Sequence, residues 1–353
     1  MPPAIVLTPN LAGRDGISRL ARLVAGMFDA VTIVALHEPA AMTAFERADV
    51  RGADGRTSRF VTAAVRAAAT ADAQTIVIAV HLHLAPAALA FTARGASLTT
   101  MLCGIEAWKP LTWIQRAALD RADRLVAISA HTRDRFREVN AQFAGRAIEV
   151  CHLGVEDADG GVGAADRAPS ALIVGRMASD ERYKGHDLLL EVWPDVVREV
   201  PGAVLRIVGD GDDRRRLEGK ARALGLDGCV AFLGRVDDES LAREYERCTA
   251  FVMPSRDEGF GFVFVEAMRA ARACVASRGA ASEIVVDGES GLVVSPGDRG
   301  ELTRAIVRLL GDGAQADRMG ARGRERFLRE FTDAHFRERF RAIVASPVPA
   351  LIE

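Results

Sequence analysis

Lysine is nearly missing from this chain: Lys109, Lys184 and Lys220 are three of its 46 basic residues, and the rest are arginine. Each lysine is therefore more informative than it would be in a lysine-rich protein. A basic excess is missing as well, because the formal net charge is -2. That argues against a general nucleic-acid binder. No apolar run is long enough to span a bilayer. The start, Met1-Pro2-Pro3-Ala4-Ile5-Val6-Leu7, lacks the basic residues and long apolar stretch of a signal peptide, and reads as a first buried strand. The cysteines, Cys103, Cys151, Cys229, Cys248 and Cys274, are odd in number and scattered, without the paired spacing of a metal site. They predict reduced thiols in a cytoplasmic protein. There is no internal repeat and no low-complexity tract.

What is present is the material of two ordinary domains. The chain has 353 residues, 49% hydrophobic and 27% charged, too many for one core. Short β-branched runs alternate with amphipathic helical stretches, the pattern of parallel sheets covered by helices on both faces. In the first half the runs are residues 4–7, 31–36, 75–80, 98–102, 125–129 and 148–152, with helices expected at 17–28, 111–121 and 132–139. The alternation restarts with runs at 171–174, 204–208, 230–233, 250–253, 273–276 and 292–294, then turns helical at 301–310, 314–329 and 333–344. Domains are thus expected at 1–155 and 169–330, a small polar linker at 156–168, and a final helical segment at 331–353.

Chemistry concentrates in the second half. The strand at 171–174 runs into Gly175-Arg176, and Arg182-Tyr183-Lys184-Gly185-His186-Asp187 opens a helix. Cations at the carboxyl end of a parallel strand, beside a helix N-terminus, suit a phosphate-bearing ligand. Arginine offers a planar fork and lysine a point charge, together able to neutralise a diphosphate. Further on, the strand at 250–253 ends in Pro254-Ser255-Arg256-Asp257-Glu258-Gly259-Phe260-Gly261, followed by an apolar helix carrying Glu266. Glycines let backbone N–H groups approach a ligand, and carboxylates accept well from sugar and ribose hydroxyls.

These residues resemble glycosyltransferase family 4. The resemblance rests on an ordered series: Gly175-Arg176, Lys184-Gly185, Val208-Gly209-Asp210-Gly211, Phe232-Leu233-Gly234-Arg235-Val236, Glu258 to Glu266, then Glu283, Gly291 and Pro296-Gly297-Asp298. It implies the GT-B fold, two Rossmann-like domains facing across a cleft, with the last helix crossing back to the first. It implies a retaining hexosyltransferase that uses a GDP- or UDP-linked sugar without a metal. Arg176 and Lys184 would hold the diphosphate and stabilise the leaving group. Glu258, with the N–H groups of Gly259, Phe260 and Gly261, would position the sugar. Glu266 would bind the ribose, and Gly234, Arg235 and Val236 would lie against the base.

The first half matches the family's acceptor domain more loosely. The loop 10–16, with Asp15 as helix cap and Gly16 after it, resembles the glycine loop facing the donor phosphates. His81 and His83, two apart at the end of a strand, point to one face. Glu106 and Trp108 would meet the acceptor, although Cys103 stands where many relatives have histidine. The acceptor expected is a saccharide, free or lipid-linked, in bacterial surface polysaccharide synthesis. A peripheral contact with the inner face of the cell membrane would run through residues 20–28. Asp157-Ala158-Asp159 matches a metal-binding pair of another glycosyltransferase fold but sits in the linker. Ser129 and Thr132 read as a helix cap.

Two other classes compete. An NAD-dependent oxidoreductase also has two Rossmann-like domains, yet it requires a fuller glycine fingerprint than Gly13 and Gly16 supply, and His37-Glu38 offers no clear ribose acid. A non-catalytic nucleotide-sugar-binding module would not need the full set of cations and carboxylates.

Overall fold

The computed structural model describes residues 2–157 and 168–346. They form two units. One holds the residues up to Leu153 together with those from Asp333 on, and the other holds Gly154–Thr332. Residues 158–167, most of the expected linker and including Asp159, lie outside the described residues.

The first unit is a sheet of eight strands: β1 (Ala4–Thr8), β2 (Val31–Ala35), β3 (Ala44–Phe45), β4 (Ala48–Gly52), β5 (Ile76–Ala79), β6 (Ser97–Leu102), β7 (Arg124–Ala127) and β8 (Ile148–Val150). Their order is β3-β4-β2-β1-β5-β6-β7-β8. Every pairing is parallel except β3 with β4. The β3–β4 hairpin has no signal in the sequence. Its turn places Glu46 at φ 52 instead of using glycine, and its strands are too short to alternate. The helices of this unit are α1 (Gly16–Ala25), α2 (Thr57–Ala68), α3 (Ala85–Thr92), α4 (Trp113–Asp120), α5 (Ala130–Val139) and, from the chain's end, α12 (Asp333–Ala345). Helix α12 packs beside α1, and Arg339 donates from Nη2 to the His152 carbonyl at 2.9 Å.

The apolar face of α1 is used up in this packing. Leu20, Ala21, Val24, Met27 and Phe28 are all buried, which is the core role available to such a stripe. A membrane contact through residues 20–28 is therefore withdrawn. No helix among the described residues is long and apolar enough to cross a membrane.

The second unit is a wholly parallel six-stranded sheet of β9 (Ser170–Val174), β10 (Val204–Val208), β11 (Val230–Gly234), β12 (Ala250–Met253), β13 (Ala273–Ser277) and β14 (Gly291–Val294). Its helices are α6 (His186–Glu199), α7 (Arg214–Ala223), α8 (Asp238–Arg247), α9 (Phe262–Arg269), α10 (Arg299–Gly311) and α11 (Gly313–Glu330). The strands are apolar along most of their length, because helices cover both faces, with Arg206 of β10 the charged exception, paired with Glu244. Leu172, Ile207, Phe251 and Val275 are completely buried, each worth roughly 1.5–3 kcal/mol against exposure.

Strand order fixes where each unit can bind a ligand. The second sheet runs β11-β10-β9-β12-β13-β14, so the chain leaves β9 in one direction and returns on the other side as β12. The crevice outside the carboxyl ends of such a pair is the natural ligand site of an open parallel sheet. In the first sheet the same reversal falls between β1 and β5.

Candidate functional site

The switch point of the second unit gathers the residues the sequence singles out. Arg176 follows β9. Its guanidinium grips the carboxylate of Glu181, donating from Nε to Oε2 at 3.0 Å and from Nη2 to Oε1. Lys184 Nζ approaches the same Oε2 at 3.4 Å. The Lys184 charge also acts on Glu258, which follows β12. Burial raises Glu258 above the usual carboxylate range, while Lys184 and the N–H groups of Gly259 and Phe260 pull it back. Two cations and two carboxylates thus share one strand-end cluster, with Tyr183 among them: burial, then Glu181 and Glu258, push its phenol upward.

The backbone makes this cluster a unit. Arg256 N–H donates to the Tyr183 carbonyl at 2.9 Å, which ties the turn after β12 to the turn before α6. Gly185 lies at φ 92, and a Cβ on it would stand 2.8 Å from Pro254 Cγ. On the other flank, Gly209 lies at φ 133, where a Cβ would fall 1.9 Å from the Gly175 carbonyl oxygen. Both glycines are therefore demanded by close approach of neighbouring strand-end loops. This explains Gly209-Asp210-Gly211 without a dinucleotide. Gly209 N–H then donates to the Gly234 carbonyl at 2.9 Å, extending the row of loops to the end of β11. There Gly234 is buried beneath the Arg214 guanidinium, Arg235 is exposed and Val236 half-buried.

Glu266 sits in the second turn of α9, on the helix that Gly261 opens at φ 100. It accepts a hydrogen bond from Tyr245 Oη at 2.9 Å. Phe260 is fully packed and anchors the glycine turn against Phe262 and Phe331. Tyr245 and Glu181 are absent from the sequence reading. The chain has only two tyrosines, and both stand at this edge of the second unit, so the scarcity that marked Lys184 would have marked them too. It is an imperfect guide, since Lys220 is structural: its Nζ bridges Asp187 and Glu191, each at 2.6 Å. Replacing Tyr245 with phenylalanine should weaken nucleotide binding by a few-fold, the value of one hydrogen bond to a charged group. Calorimetric titration of the variant with a nucleoside diphosphate measures it, and unchanged affinity would show that Tyr245 does not orient Glu266.

The first unit arranges its residues differently. Asp15 caps α1, accepting from the Ile17 and Ser18 N–H groups, each at 3.0 Å, and Gly16 is the first helical residue. Glu38 Oε1 accepts from the Leu11 and Ala12 N–H groups at 2.7 and 2.9 Å. An acid after β2 thus braces the loop 10–16, and the oxidoreductase reading gains no ribose-binding acid. His81 and His83 lie beyond the end of β5, on a single 3-10 turn, and not on a strand face. Their rings still meet edge to face, with centroids 4.9 Å apart. Glu106 turns inward and accepts from the Cys103 N–H at 2.7 Å, while Cys103 Sγ donates to the Val80 carbonyl at 3.0 Å. Trp108 packs against His131 at 5.4 Å and lies under the Arg135 guanidinium. Glu106 and Trp108 therefore hold their own segment together. Ser129 caps α5, accepting from the Thr132 N–H at 3.0 Å, as its place in the sequence predicts.

Two histidines, His186 buried and His81 half-buried, make stability pH-dependent. Burial lowers His81 to about 4. Burial, then the neighbouring Lys184 charge, lowers His186 to about 4. The unfolded chain takes up these protons near the ordinary value of 6.5, so the folded state keeps its full advantage above about that pH. Stability is lost as pH falls from there toward 4, by at most on the order of 3 kcal/mol for each group. Urea midpoints between pH 7.5 and 4.5 should therefore fall less steeply for His186→Gln than for the wild-type chain. Parallel slopes would contradict the assignment.

Comparison with known proteins adds likenesses of sequence and of fold. Residues 168–312 match the family model described as Glycosyl transferases group 1. A GDP-mannose-dependent alpha-(1-6)-phosphatidylinositol monomannoside mannosyltransferase of Mycolicibacterium smegmatis is 33% identical over 235 residues, 60% of this chain and 60% of that protein. The lipopolysaccharide core biosynthesis mannosyltransferase LpcC of Rhizobium leguminosarum bv. viciae is 36% identical over 170 residues, 46% of this chain and 47% of its own length. The chain thus spans between 47% and 60% of the lengths of these relatives. Among solved structures, Anabaena HepE in complex with UDP and glucose superposes with a TM-score of 0.80 at 20% identity, covering 98% of this chain and 100% of that one. Likeness at that identity speaks for the fold. With the ordered motifs and the two parallel-sheet units in agreement, residues 168–312 are similar to the group 1 glycosyl transferases, and the two units have the GT-B fold.

Proposed function

We propose that the chain is a retaining glycosyltransferase that moves a hexose of mannose or glucose type from a GDP- or UDP-linked donor to a saccharide or lipid-linked saccharide acceptor. The observation that carries this reading is the convergence of Arg176, Lys184 and Glu258 at the β9–β12 switch point. There the two cations already share one carboxylate. An anion fits that place, and a diphosphate satisfies both a fork and a point charge.

The chemistry follows from those positions. The bond between the anomeric carbon and the phosphate oxygen breaks with its electron pair leaving on the diphosphate, while an acceptor hydroxyl oxygen bonds to that carbon and its proton passes to the departing diphosphate. Arg176 and Lys184 stabilise the charge that builds there, in a setting already oriented to receive it. Glu258 accepts from hydroxyls of the sugar, and Glu266, oriented by Tyr245, accepts from those of the ribose. Gly234, Arg235 and Val236 offer the end of β11 to the base. In this proposal Gly16 serves the donor phosphates and His81 and His83 serve the acceptor, and no metal enters it. The mannosyltransferases among the relatives favour GDP-mannose as the first donor to try, and lipid-linked surface saccharides as first acceptors.

The test is direct. Purified protein is incubated with GDP-mannose, UDP-glucose and related donors, with and without acceptors. Proton NMR follows loss of donor and the anomeric configuration of the product. Slow donor cleavage, or transfer with the donor's configuration kept, is expected. An inverted product would remove the retaining assignment, and a chain that neither binds nor cleaves any nucleotide sugar would sink the transferase reading.

A further inference from the structure

Lys184 and Arg176 meet a partner that the sequence motifs did not mark. Glu181 presents both carboxylate oxygens to the Arg176 fork and shares Oε2 with Lys184. This is the geometry in which arginine binds carboxylate or phosphate most strongly, two parallel N–H groups on two oxygens. Burial alone would raise the Glu181 carboxyl, yet the Arg176 hydrogen bonds and the two neighbouring cations hold it below the usual range. It is therefore an anion at neutral pH.

We propose that Glu181 is a built-in stand-in for the donor diphosphate, which occupies Arg176 and Lys184 while the site is empty and must yield Arg176 when a nucleoside diphosphate arrives. This rests on the donor reading above and extends it to how that site selects its ligand.

The surroundings allow such an exchange. The Arg176 side chain is 60% exposed, whereas those of Lys184 and Glu181 are 22% and 14% exposed. Arg176 is thus the more accessible of the two cations and Lys184 the more enclosed one. The turn that carries Glu181 is held by its backbone, through Glu181 N–H to the Ala178 carbonyl at 2.9 Å and Lys184 N–H to the Glu181 carbonyl at 3.0 Å. Its side chain can leave without unmaking the turn. Charge balance gives the exchange a consequence. With Glu181 and Glu258 both beside Lys184, the empty cluster is close to neutral and has little hold on a stray anion. A ligand must replace what Glu181 gives to both cations. A diphosphate can do that, and a single phosphate meets too little of the pair. Glu181 therefore lowers affinity for all phosphates, and lowers it most for the monophosphates.

Calorimetric titration of wild-type protein, Glu181→Gln and Glu181→Ala with UDP, GDP, UMP and GMP tests this, with circular dichroism to confirm the fold. Both variants are expected to bind the diphosphate at least about fivefold more tightly, the effect of removing one competing charge. They should bind the monophosphates tighter by a larger factor still, so that discrimination between the two narrows. Folded variants that bind the diphosphate no better than wild type, or worse, would overturn the proposal and leave Glu181 as a brace for Arg176. If discrimination is unchanged while affinity rises, the selective role fails. If wild-type protein binds none of the four nucleotides, the donor reading itself fails, and this inference with it.

Discussion

Lys184→Ala is expected to lower kcat/KM for the donor by about 10²–10³-fold, the usual cost of removing one oriented group that stabilises developing charge. The fold should survive. The Lys184 ammonium meets Glu181 at 3.4 Å, so its loss breaks a contact inside the site and leaves the packing of the sheet and its helices untouched. Lys220 supplies the contrast. It ties α7 to α6 through Asp187 and Glu191, so Lys220→Ala should cost stability and spare turnover. Steady-state kinetics with saturating acceptor, together with thermal unfolding of both variants, measures the split. Full donor turnover by Lys184→Ala would remove this residue from the chemistry.

Gly185→Ala is expected to destabilise the chain by about 2–5 kcal/mol, combining a left-handed backbone penalty with overpacking. The backbone at Gly185 sits at φ 92, and the added methyl would stand 2.8 Å from Pro254 Cγ and 2.9 Å from the Pro254 carbonyl oxygen. Either that residue or the α6 turn must move. Since the same contact sets the β9 loop against the β12 loop, nucleotide affinity should fall along with stability. Urea unfolding checks the first effect and titration with UDP or GDP the second. A variant within about 0.5 kcal/mol of wild type, the range of inert surface changes, would show that the two loops do not depend on this approach.

Much of this was legible in the sequence, for reasons that differ from element to element. The strands of the second unit were readable because burial on both faces forces continuous apolar runs such as 250–253. Arg176, Lys184 and Glu258 were readable because each stands just past a strand or just before a helix, where open parallel sheets bind ligands. Asp15 and Ser129 announced their helices as caps. What escaped was decided by distant parts of the chain. Glu181 carries no signal of its own in Ser179-Asp180-Glu181, and only the folded turn brings it onto Arg176. Tyr245 reaches Glu266 across 21 positions of sequence. The β3–β4 hairpin uses Glu46 where glycine would have been the signal. His81 and His83 were read from strand alternation, but the strand stops at Ala79, and a 3-10 turn brings the rings together instead.

A crystal structure of the protein soaked with UDP or GDP tests the central claim most directly. The account predicts the diphosphate at the β9–β12 switch point, with its oxygens on the Arg176 guanidinium and the Lys184 ammonium, and the ribose hydroxyls on Glu266. A nucleotide bound instead at the loop 10–16 of the first unit, with Arg176 and Lys184 still held by Glu181, would contradict it.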